Sequence, residues 1–184
     1  MHEFYTVSRL DISDKNTLGL FTRDASAIFE VKDLFTQDDA KNLIDNLYPN
    51  GISQHGRQYL FDKYVWLYDQ YQNSYVSYLQ ILEITFELVR LWRHTDKPSR
   101  FTSLFGCLTF EDALKLKTER FTNSGDIYKV STDNYFKADM NLLLTATIPG
   151  NILMAEKYWT GQQGPNPFWE ILMNAPVKII EKIT

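Results

Sequence analysis

The pattern of hydrophobic and polar positions predicts strands near both ends of the chain. Residues 4–10 mix aromatic with β-branched side chains and indicate an opening strand. Residues 27–31 indicate a second, shorter strand. Near the other end, segments 168–173 and 177–181 have the same character, and Asn174-Ala175-Pro176 between them is typical of a turn. The sequence therefore begins and ends in β-structure.

Helical spacing dominates the region in between. Thr36 is a suitable N-cap, and the apolar positions after it predict a short amphipathic helix that ends at Pro49-Asn50-Gly51. Two longer helices are expected over residues 56–72 and 74–93, because apolar side chains recur there at helical spacing. Pro98 lacks a backbone donor and ends the second of them. This region is a helical insert at about residues 36–94.

The second half of the chain is richer in strands. Thr109 begins one short helix, and a second helix over residues 150–159 ends at Gly161. Further strands are expected over residues 100–107, 126–131 and 139–144. Strands and helices do not alternate regularly, so the fold class is α+β and not a parallel Rossmann sheet.

The length of 184 residues predicts a single domain covering residues 1–184. The 44% hydrophobic and 23% charged residues are ordinary globular values and argue against extended disorder. No apolar run approaches the length of a membrane span, and no signal segment opens the chain. One cysteine, Cys107, forms no intramolecular disulfide, which fits a cytoplasmic location. The net charge of −4 lacks the bulk basic character of a nonspecific nucleic-acid binder.

Several chemistries have no motif in this sequence. The three histidines do not stand at metal-ligand spacing, so no metal site is expected. Gly161-Gln162-Gln163-Gly164 lacks the lysine and hydroxyl residue of a phosphate loop, and no glycine-rich dinucleotide fingerprint follows a strand. Cys107 follows an apolar strand segment and is expected to be a buried small hydrophobe.

Charged side chains inside apolar strands are the remaining candidates for chemistry. Glu170 alternates with Phe168 and Leu172 on one face of its strand, so it points either into a cleft or to a solvated edge. On the opening strand the same alternation puts Tyr5 and Arg9 on a common face.

Three segments in this order resemble the ADP-ribosyltransferase superfamily, and in particular a bacterial family of uncharacterised domains with that fold. The resemblance rests on residues 4–9, on Glu83, Glu87 and Arg90 leading into segment 98–105, and on segments 169–172 and 177–179. It implies mixed or antiparallel sheets with a helical insert after the first strands. Thr6 stands where a histidine is typical, and Phe168 stands where arginine-modifying members carry Glu or Gln.

The resemblance implies an NAD site and assigns roles to individual residues. Glu170 is the expected catalytic carboxylate, because the cleavage of the nicotinamide–ribose bond develops a cation that a carboxylate stabilises. Arg9 or Arg100 is expected to bind pyrophosphate, and Tyr5 or Phe105 to stack on the nicotinamide ring. The remaining cofactor-binding candidates are Thr6, Ser99 and Ser103.

Each role has a structural alternative. Glu170 is otherwise a strand-edge carboxylate, and Arg100 an ion-pair partner of Glu83 or Glu87. Ser99 and Ser103 equally suit hydrogen bonding to nearby backbone groups. A pair between Glu87 and Arg90 is expected within one helix.

The expected function is therefore an NAD-dependent mono-ADP-ribosyltransferase acting on a macromolecular acceptor, protein or nucleic acid. Such a protein would serve as a bacterial or phage toxin, effector or defence protein, with an antitoxin or inhibitor protein as a further partner. Two alternatives remain open. One is an inactive binding module that keeps the fold, which Thr6 and Phe168 favour, and the other is an NAD glycohydrolase that uses water as acceptor.

Overall fold

A seven-stranded antiparallel sheet organises the chain in the computed structural model, which describes residues 1–21, 36–61, 67–69, 74–76, 79–144 and 147–184. The strand order in this sheet is β2-β9-β6-β1-β5-β8-β7, and β3 and β4 form a separate hairpin. The strands are β1 (His2–Ser8), β2 (Thr17–Leu18), β3 (Leu67–Asp69), β4 (Ser74–Val76), β5 (Ser103–Cys107), β6 (Asp126–Thr132), β7 (Tyr135–Asp139), β8 (Trp169–Asn174) and β9 (Val177–Lys182). The helices are α1 (Gln37–Leu47), α2 (Gln54–Phe61), α3 (Leu79–Arg93), α4 (Phe110–Arg120) and α5 (Ile148–Trp159), with a 3₁₀ turn over Met140–Leu142.

The short link between β8 and β9 forces this sheet to fold over. The two strands are separated by β5, β1 and β6 in the sheet, which in a flat sheet is roughly 19 Å. The chain from Asn174 to Val177 spans three residue steps, at most about 11 Å. The sheet must therefore coil so that its two halves approach each other. Buried side chains from these strands, among them Phe4, Val130, Ile171 and Val177, form one core cluster.

The helices cover the sheet and complete two further core clusters. Phe86 of α3, with Tyr158 and Trp159 of α5, packs with Leu172 of β8. Ala113 of α4 packs with residues of β5 and β6 in another cluster. The Trp159 indole donates a hydrogen bond to the carbonyl of Phe86 over 2.8 Å, which satisfies the one polar atom of a fully buried ring. Helices α3 and α5 are thereby fixed side by side.

Caps and turns predicted from the sequence are confirmed at several places. Thr36 caps α1 and forms a reciprocal capping box with Asp39. Thr109 accepts a hydrogen bond from the backbone of Asp112 at the start of α4, and Gly161, with φ +70°, follows the end of α5. The strands expected at 4–10, 126–131, 168–173 and 177–181 correspond to β1, β6, β8 and β9.

Some predicted elements are wrong in part. The helix expected over 56–72 ends at Phe61, and Leu67–Asp69 and Ser74–Val76 are paired strands instead. Tyrosine and valine recur there at helical spacing, but these residue types favour strands. The strand expected over 139–144 is the end of β7 followed by a 3₁₀ turn. The strand predicted at 27–31 lies outside the described residues.

The mixed α+β class is confirmed. Because the insert carries the β3–β4 hairpin as well as α1, α2 and α3, it is not wholly helical. None of the helices in the described ranges is long and apolar enough to cross a membrane.

Candidate functional site

Arg100 lies in the turn that leads into β5, and not on the strand expected over 100–107. Ser99 shapes this turn: its hydroxyl oxygen accepts from the Phe101 backbone over 3.1 Å, and its carbonyl accepts from the Ser103 hydroxyl over 2.7 Å. These local bonds satisfy the polar groups of the turn, so the chain can enter the protein interior there. Arg100 is only 4% exposed as a result.

The guanidinium of Arg100 joins two carboxylates. It donates to Glu83 of α3 from Nε over 2.9 Å and from Nη2 over 3.0 Å, and to Oε1 of Glu170 from Nη1 over 2.6 Å. Nη1 also donates to the Tyr158 hydroxyl over 2.6 Å, and that hydroxyl donates to Oε1 of Glu170 over 2.7 Å. Four elements thus contribute to one buried polar cluster.

The two donors that hold Glu170 both use the same carboxylate oxygen. Oε1 accepts from Arg100 and from Tyr158. Within the described part of the chain, no donor reaches Oε2 of Glu170. Arg100 and Tyr158 therefore orient the carboxylate through Oε1, and among the described residues the acceptor capacity of Oε2 is unused.

The charges in the cluster shift the ionisation of its members. Burial alone would raise the pKa of Glu83, but Arg100 and, after it, His55 outweigh burial and hold that pKa below its usual range. Burial alone would lower the pKa of Arg100, but the charges of Glu170 and Glu83 outweigh burial and raise that pKa. Burial and the charge of Glu170 raise the pKa of Tyr158, so its hydroxyl stays protonated and acts as a donor. Among the described residues, Glu83 and Glu170 exceed Arg100 by one negative charge whenever the neighbouring His55 is neutral.

Aromatic side chains border this cluster. His55 of α2 contacts the rings of Tyr59 and Phe105, with centroid distances of 4.7 Å and 4.9 Å. The Arg100 guanidinium carbon lies 4.9 Å from the centroid of Phe105. His55 Nε2 is 3.2 Å from Oε2 of Glu83 and has no hydrogen-bond partner within the described part of the chain.

A second buried network lies one helical turn further along α3. Arg90 donates to Glu87 from Nε over 3.0 Å and from Nη2 over 2.8 Å, and the Tyr48 hydroxyl donates to Glu87 over 3.0 Å. The expected Glu87–Arg90 pair is confirmed. Nη1 of Arg90 donates to the carbonyl of Lys97, which fixes the turn after α3. Both networks turn charged side chains of α3 inward.

Asp139, at the end of β7, holds the segment that leads into β8. Its carboxylate, 0% exposed, accepts from the backbone N–H groups of Asn141, Gly164 and Phe168, at distances of 3.0 Å, 2.8 Å and 2.9 Å. In the β7–β8 register the next residue pair joins Ala138 to Glu170. Asp139 therefore fixes the backbone two residues before the candidate carboxylate.

The structure brings together only part of the predicted cofactor site. Phe105 lies against Arg100, while the Thr6 hydroxyl donates to the Phe105 carbonyl over 2.7 Å. Tyr5 packs edge-on against Phe110 of α4, at 6.1 Å between centroids. Ser99 and Ser103 form hydrogen bonds with neighbouring backbone groups, which is the structural alternative to ligand binding given for them above.

Arg9 and Arg100 are the two predicted phosphate-binding residues, and the structure places them in different surroundings. Arg9 follows β1, is exposed, and has its guanidinium carbon 5.4 Å from the centroid of Phe121, at the end of α4. All three guanidinium nitrogens of Arg100 donate to protein side chains, in agreement with its predicted pairing to Glu83. These contacts occupy every guanidinium nitrogen of Arg100, whereas the phosphate-binding role of Arg9 stays a prediction.

Sequence reasoning missed Tyr158, His55 and Lys115. Lys115, on α4, is exposed and places Nζ 5.0 Å from the Phe168 ring centroid, near the start of β8. It forms no ion pair with any described residue. No local motif marks these three side chains, because they lie on three different helices, α5, α2 and α4.

An open groove of about 420 Å³ lies at the opposite end of β8. Asn174 at the end of that strand, Arg90 and Tyr48 are among its lining residues. Glu170 stands four residues earlier on β8, roughly 13 Å away along the strand. Ser99 and Thr102, on either side of Arg100 in the turn before β5, also line the groove, whereas Arg100 and Glu170 are not among its lining residues.

Metal and thiol chemistry are not indicated in the described segments. No group of three or more His, Cys, Asp or Glu side chains there is arranged to hold a metal ion. Cys107 is 2% exposed, and burial, with the charges of Asp112 and Glu170, raises the pKa of its thiol to about 12. A thiol with this pKa is almost entirely protonated at neutral pH and is a poor nucleophile.

No curated protein matches the chain. A family match covers residues 7–184, which include β5 and β8 with their contributions to the polar cluster. The chain belongs to the family described as "Protein of unknown function (DUF2441)".

Proposed function

We propose that the protein is an NAD-dependent ADP-ribosyltransferase that transfers ADP-ribose from NAD to a macromolecular acceptor. The observation that carries the proposal is the state of Glu170: a buried carboxylate oriented through Oε1 by Arg100 and Tyr158, with Oε2 unbound by described residues. Such an oxygen can accept a hydrogen bond from a ribose hydroxyl. The resemblance to the superfamily, noted from the sequence, supports the same assignment.

The charge balance of the cluster suits this reaction. When the bond between nicotinamide and ribose breaks, positive charge develops on the ribose ring, and nicotinamide leaves with the bonding electron pair. The acceptor nucleophile then bonds to the anomeric carbon and releases its proton to water. Glu83 and Glu170 together exceed the charge of Arg100 by one negative unit. That excess stabilises the cationic transition state in a region of low polarity.

The surroundings assign further roles under this proposal. Both Arg100 and His55 already contact the ring of Phe105, whereas Tyr5 contacts only Phe110 among the ring contacts of described residues. Tyr5 is therefore the better candidate to stack on nicotinamide. Lys115 replaces Arg9 and Arg100 as the candidate for the pyrophosphate, since its ammonium has no ion-pair partner in the described ranges.

One observation favours a second candidate function, a binding module without catalysis. Every guanidinium nitrogen of Arg100 is committed to protein acceptors, and the Thr6 hydroxyl is committed to the Phe105 carbonyl. In such a binding module the polar cluster stabilises the fold, and a ligand or partner protein binds beside it. NAD binding without nicotinamide release is the result that distinguishes this function.

The test is nicotinamide release from NAD together with transfer of a labelled ADP-ribose to cellular protein and RNA. Glu170→Gln should lower both by roughly a hundredfold or more while the protein remains folded, because the amide keeps the shape and loses the charge. Glu181→Gln on the exposed part of β9 is the matched strand control and should retain full activity. Release without transfer would indicate a glycohydrolase, and a wild-type rate in folded Glu170→Gln would refute the proposal.

A further inference from the structure

The groove at the Asn174 end of β8 has the size of a small-molecule site. Its volume of about 420 Å³ falls within the range of roughly 300–1,000 Å³ that is usual for such pockets. Its walls come from parts of the chain that are far apart in sequence, including the turn after α1, the turn before β5 and the end of β8. Three asparagines line it, Asn50, Asn134 and Asn174, and we call it the carboxamide groove.

Backbone hydrogen bonds fix the walls of the carboxamide groove. The N–H of Asn174 donates to the carbonyl of Asn134 over 3.0 Å, which joins two of the asparagines. Phe21 and Ile52 exchange two backbone hydrogen bonds, of 2.7 Å and 3.0 Å, beside the turn that carries Asn50. The polar side chains of the groove are therefore mounted on ordered backbone, which lowers the entropic cost of binding a ligand.

The three side-chain amides have no partner within the described part of the chain. Asn134 and Asn174 form hydrogen bonds there only through their backbone groups, and Asn50 forms none. A carboxamide presents donors and an acceptor side by side. It therefore pairs best with a ligand edge that also carries a donor next to an acceptor, as the edge of adenine does.

The carboxamide groove offers no uncompensated charge. Arg90 is the only charged side chain among its described lining residues, and Glu87 neutralises it through two hydrogen bonds, of 3.0 Å and 2.8 Å. These bonds and the one to the Lys97 carbonyl use three of the five N–H groups of the guanidinium. The groove therefore suits a neutral ligand with hydrogen-bond acceptors better than a phosphate or a carboxylate.

The remaining lining side chains are largely apolar, namely Leu20, Leu47, Pro49, Pro98 and Ala175. A planar ring with a polar edge matches a groove that combines an apolar wall with side-chain amides and an arginine. We propose that the carboxamide groove binds the purine base of a nucleoside, with the ring on the apolar wall and its polar edge on the asparagines. Because Arg100 and Glu170 do not line the groove, this site does not depend on the proposed function.

The first test is calorimetric titration of the full chain with adenosine, guanosine, AMP and ribose 5-phosphate. At least one of the two nucleosides should bind saturably. AMP should bind no more tightly than adenosine, because the groove has no free cation for the phosphate, and ribose 5-phosphate should not bind. Absence of nucleoside binding at millimolar concentration would overturn the proposal, and so would equal binding of AMP and ribose 5-phosphate.

The second test separates this groove from the proposed NAD site. Asn174→Ala should weaken nucleoside binding by roughly fivefold or more, with an unchanged urea unfolding curve. Asn42→Ala is the matched control, because Asn42 is exposed on α1 and does not line the groove, and it should bind like the wild type. Lys115→Ala should also bind nucleoside normally. If Lys115→Ala weakened binding and Asn174→Ala did not, the nucleoside would occupy the NAD site and the proposal would be overturned.

Photolabelling of the wild type locates the ligand without any variant. After irradiation with bound 2-azidoadenosine, proteolysis and mass spectrometry should find the label in segments 47–51, 98–102 or 174–175, which contribute to the groove. An excess of adenosine should prevent this labelling. Label confined to α4 or to the start of β8 would contradict binding in the carboxamide groove.

Discussion

Glu83 binds Arg100 through two parallel hydrogen bonds, with 2.9 Å from Nε and 3.0 Å from Nη2, and each of these side chains is only 5% exposed. This fork geometry joins α3 to the turn before β5. The remaining nitrogen of the guanidinium is directed to Glu170 on β8. The same arginine therefore holds the fold together and orients the candidate catalytic carboxylate.

Replacement of this arginine should be costly even when the charge is kept. Arg100→Lys retains one positive charge but cannot bridge Glu83 and Glu170, so one buried carboxylate loses its partner. We expect a loss of about 3–5 kcal/mol in the free energy of unfolding, measured by urea titration. Arg93→Lys, at an exposed ion pair with Glu156, should change it by less than about 1 kcal/mol. Equal effects of the two changes would contradict this role of Arg100.

Acid should lower the free energy of unfolding through protonation of Glu83. Its pKa in the folded state lies below the ordinary value of 4.5, so the folded state holds this proton less tightly than the unfolded state does. The resulting stability is present above pH 4.5 and is lost as the pH falls through the folded-state pKa. The free energy of unfolding should fall from pH 5 to pH 3 less steeply in Glu83→Gln than in the wild type. Parallel slopes would contradict the prediction.

Asp139→Asn should loosen the entry into β8. The asparagine keeps one oxygen, but its amide nitrogen would face at least one of the N–H groups of Asn141, Gly164 and Phe168. We expect a loss of about 1–3 kcal/mol of stability, and, if Glu170 is catalytic, lower activity at saturating NAD. Asp133→Asn, at an exposed pair with the terminal amine, is the control and should behave like the wild type in both assays.

Gly56→Ala tests how closely α2 packs on the turn that carries Arg100. In a helix alanine is normally favoured over glycine by about 1 kcal/mol. Here an added Cβ would lie 2.1 Å from the carbonyl oxygen of Phe101, so alanine should destabilise the protein at this position. A loss of roughly 1–3 kcal/mol is expected in thermal or urea unfolding. Gly19→Ala, with nothing within 4 Å of its added Cβ, should be nearly neutral.

Binding of NAD should depend on Lys115 and not on Arg9. Under the proposed function the ammonium of Lys115 reaches the pyrophosphate near the start of β8, whereas Arg9 contacts Phe121 at the far end of α4. Lys115→Ala should weaken NAD binding by several-fold in calorimetry, and Arg9→Ala should leave it unchanged. If Arg9→Ala alone weakened binding, the ligand site would have to be reassigned to the end of β1.

Local patterns were sufficient for much of the secondary structure. Thr36 and Thr109 mark helix starts through short-range hydrogen bonds. The strands β6 and β8 were also predicted, although their burial does not alternate because both faces are covered. The helix predicted around Leu67 was wrong because tyrosines at helical spacing also suit a hairpin. Pairing with a second strand decides which of the two structures forms.

The candidate site was only partly accessible to the same reasoning. Glu170 stands out because a carboxylate inside an apolar strand needs a partner, and Arg100 was expected to pair with Glu83. Tyr158 contacts Arg100 across 58 positions of sequence, and His55 reaches Glu83 from a different helix. Such contacts arise from the packing of α2, α3 and α5, which no local pattern specifies.

The central position of β1 has a consequence for the order of assembly. Its neighbours are β5 and β6, so Tyr5 pairs with Cys107 and Phe4 with Val130, each more than 100 positions later in the sequence. During synthesis the first strand therefore remains without its native hydrogen-bond partners until most of the chain has emerged. Contacts of such high sequence separation slow folding, because a long loop must close before they form. A peptide of residues 1–21 supplied in trans should accordingly restore the sheet of a chain that lacks them.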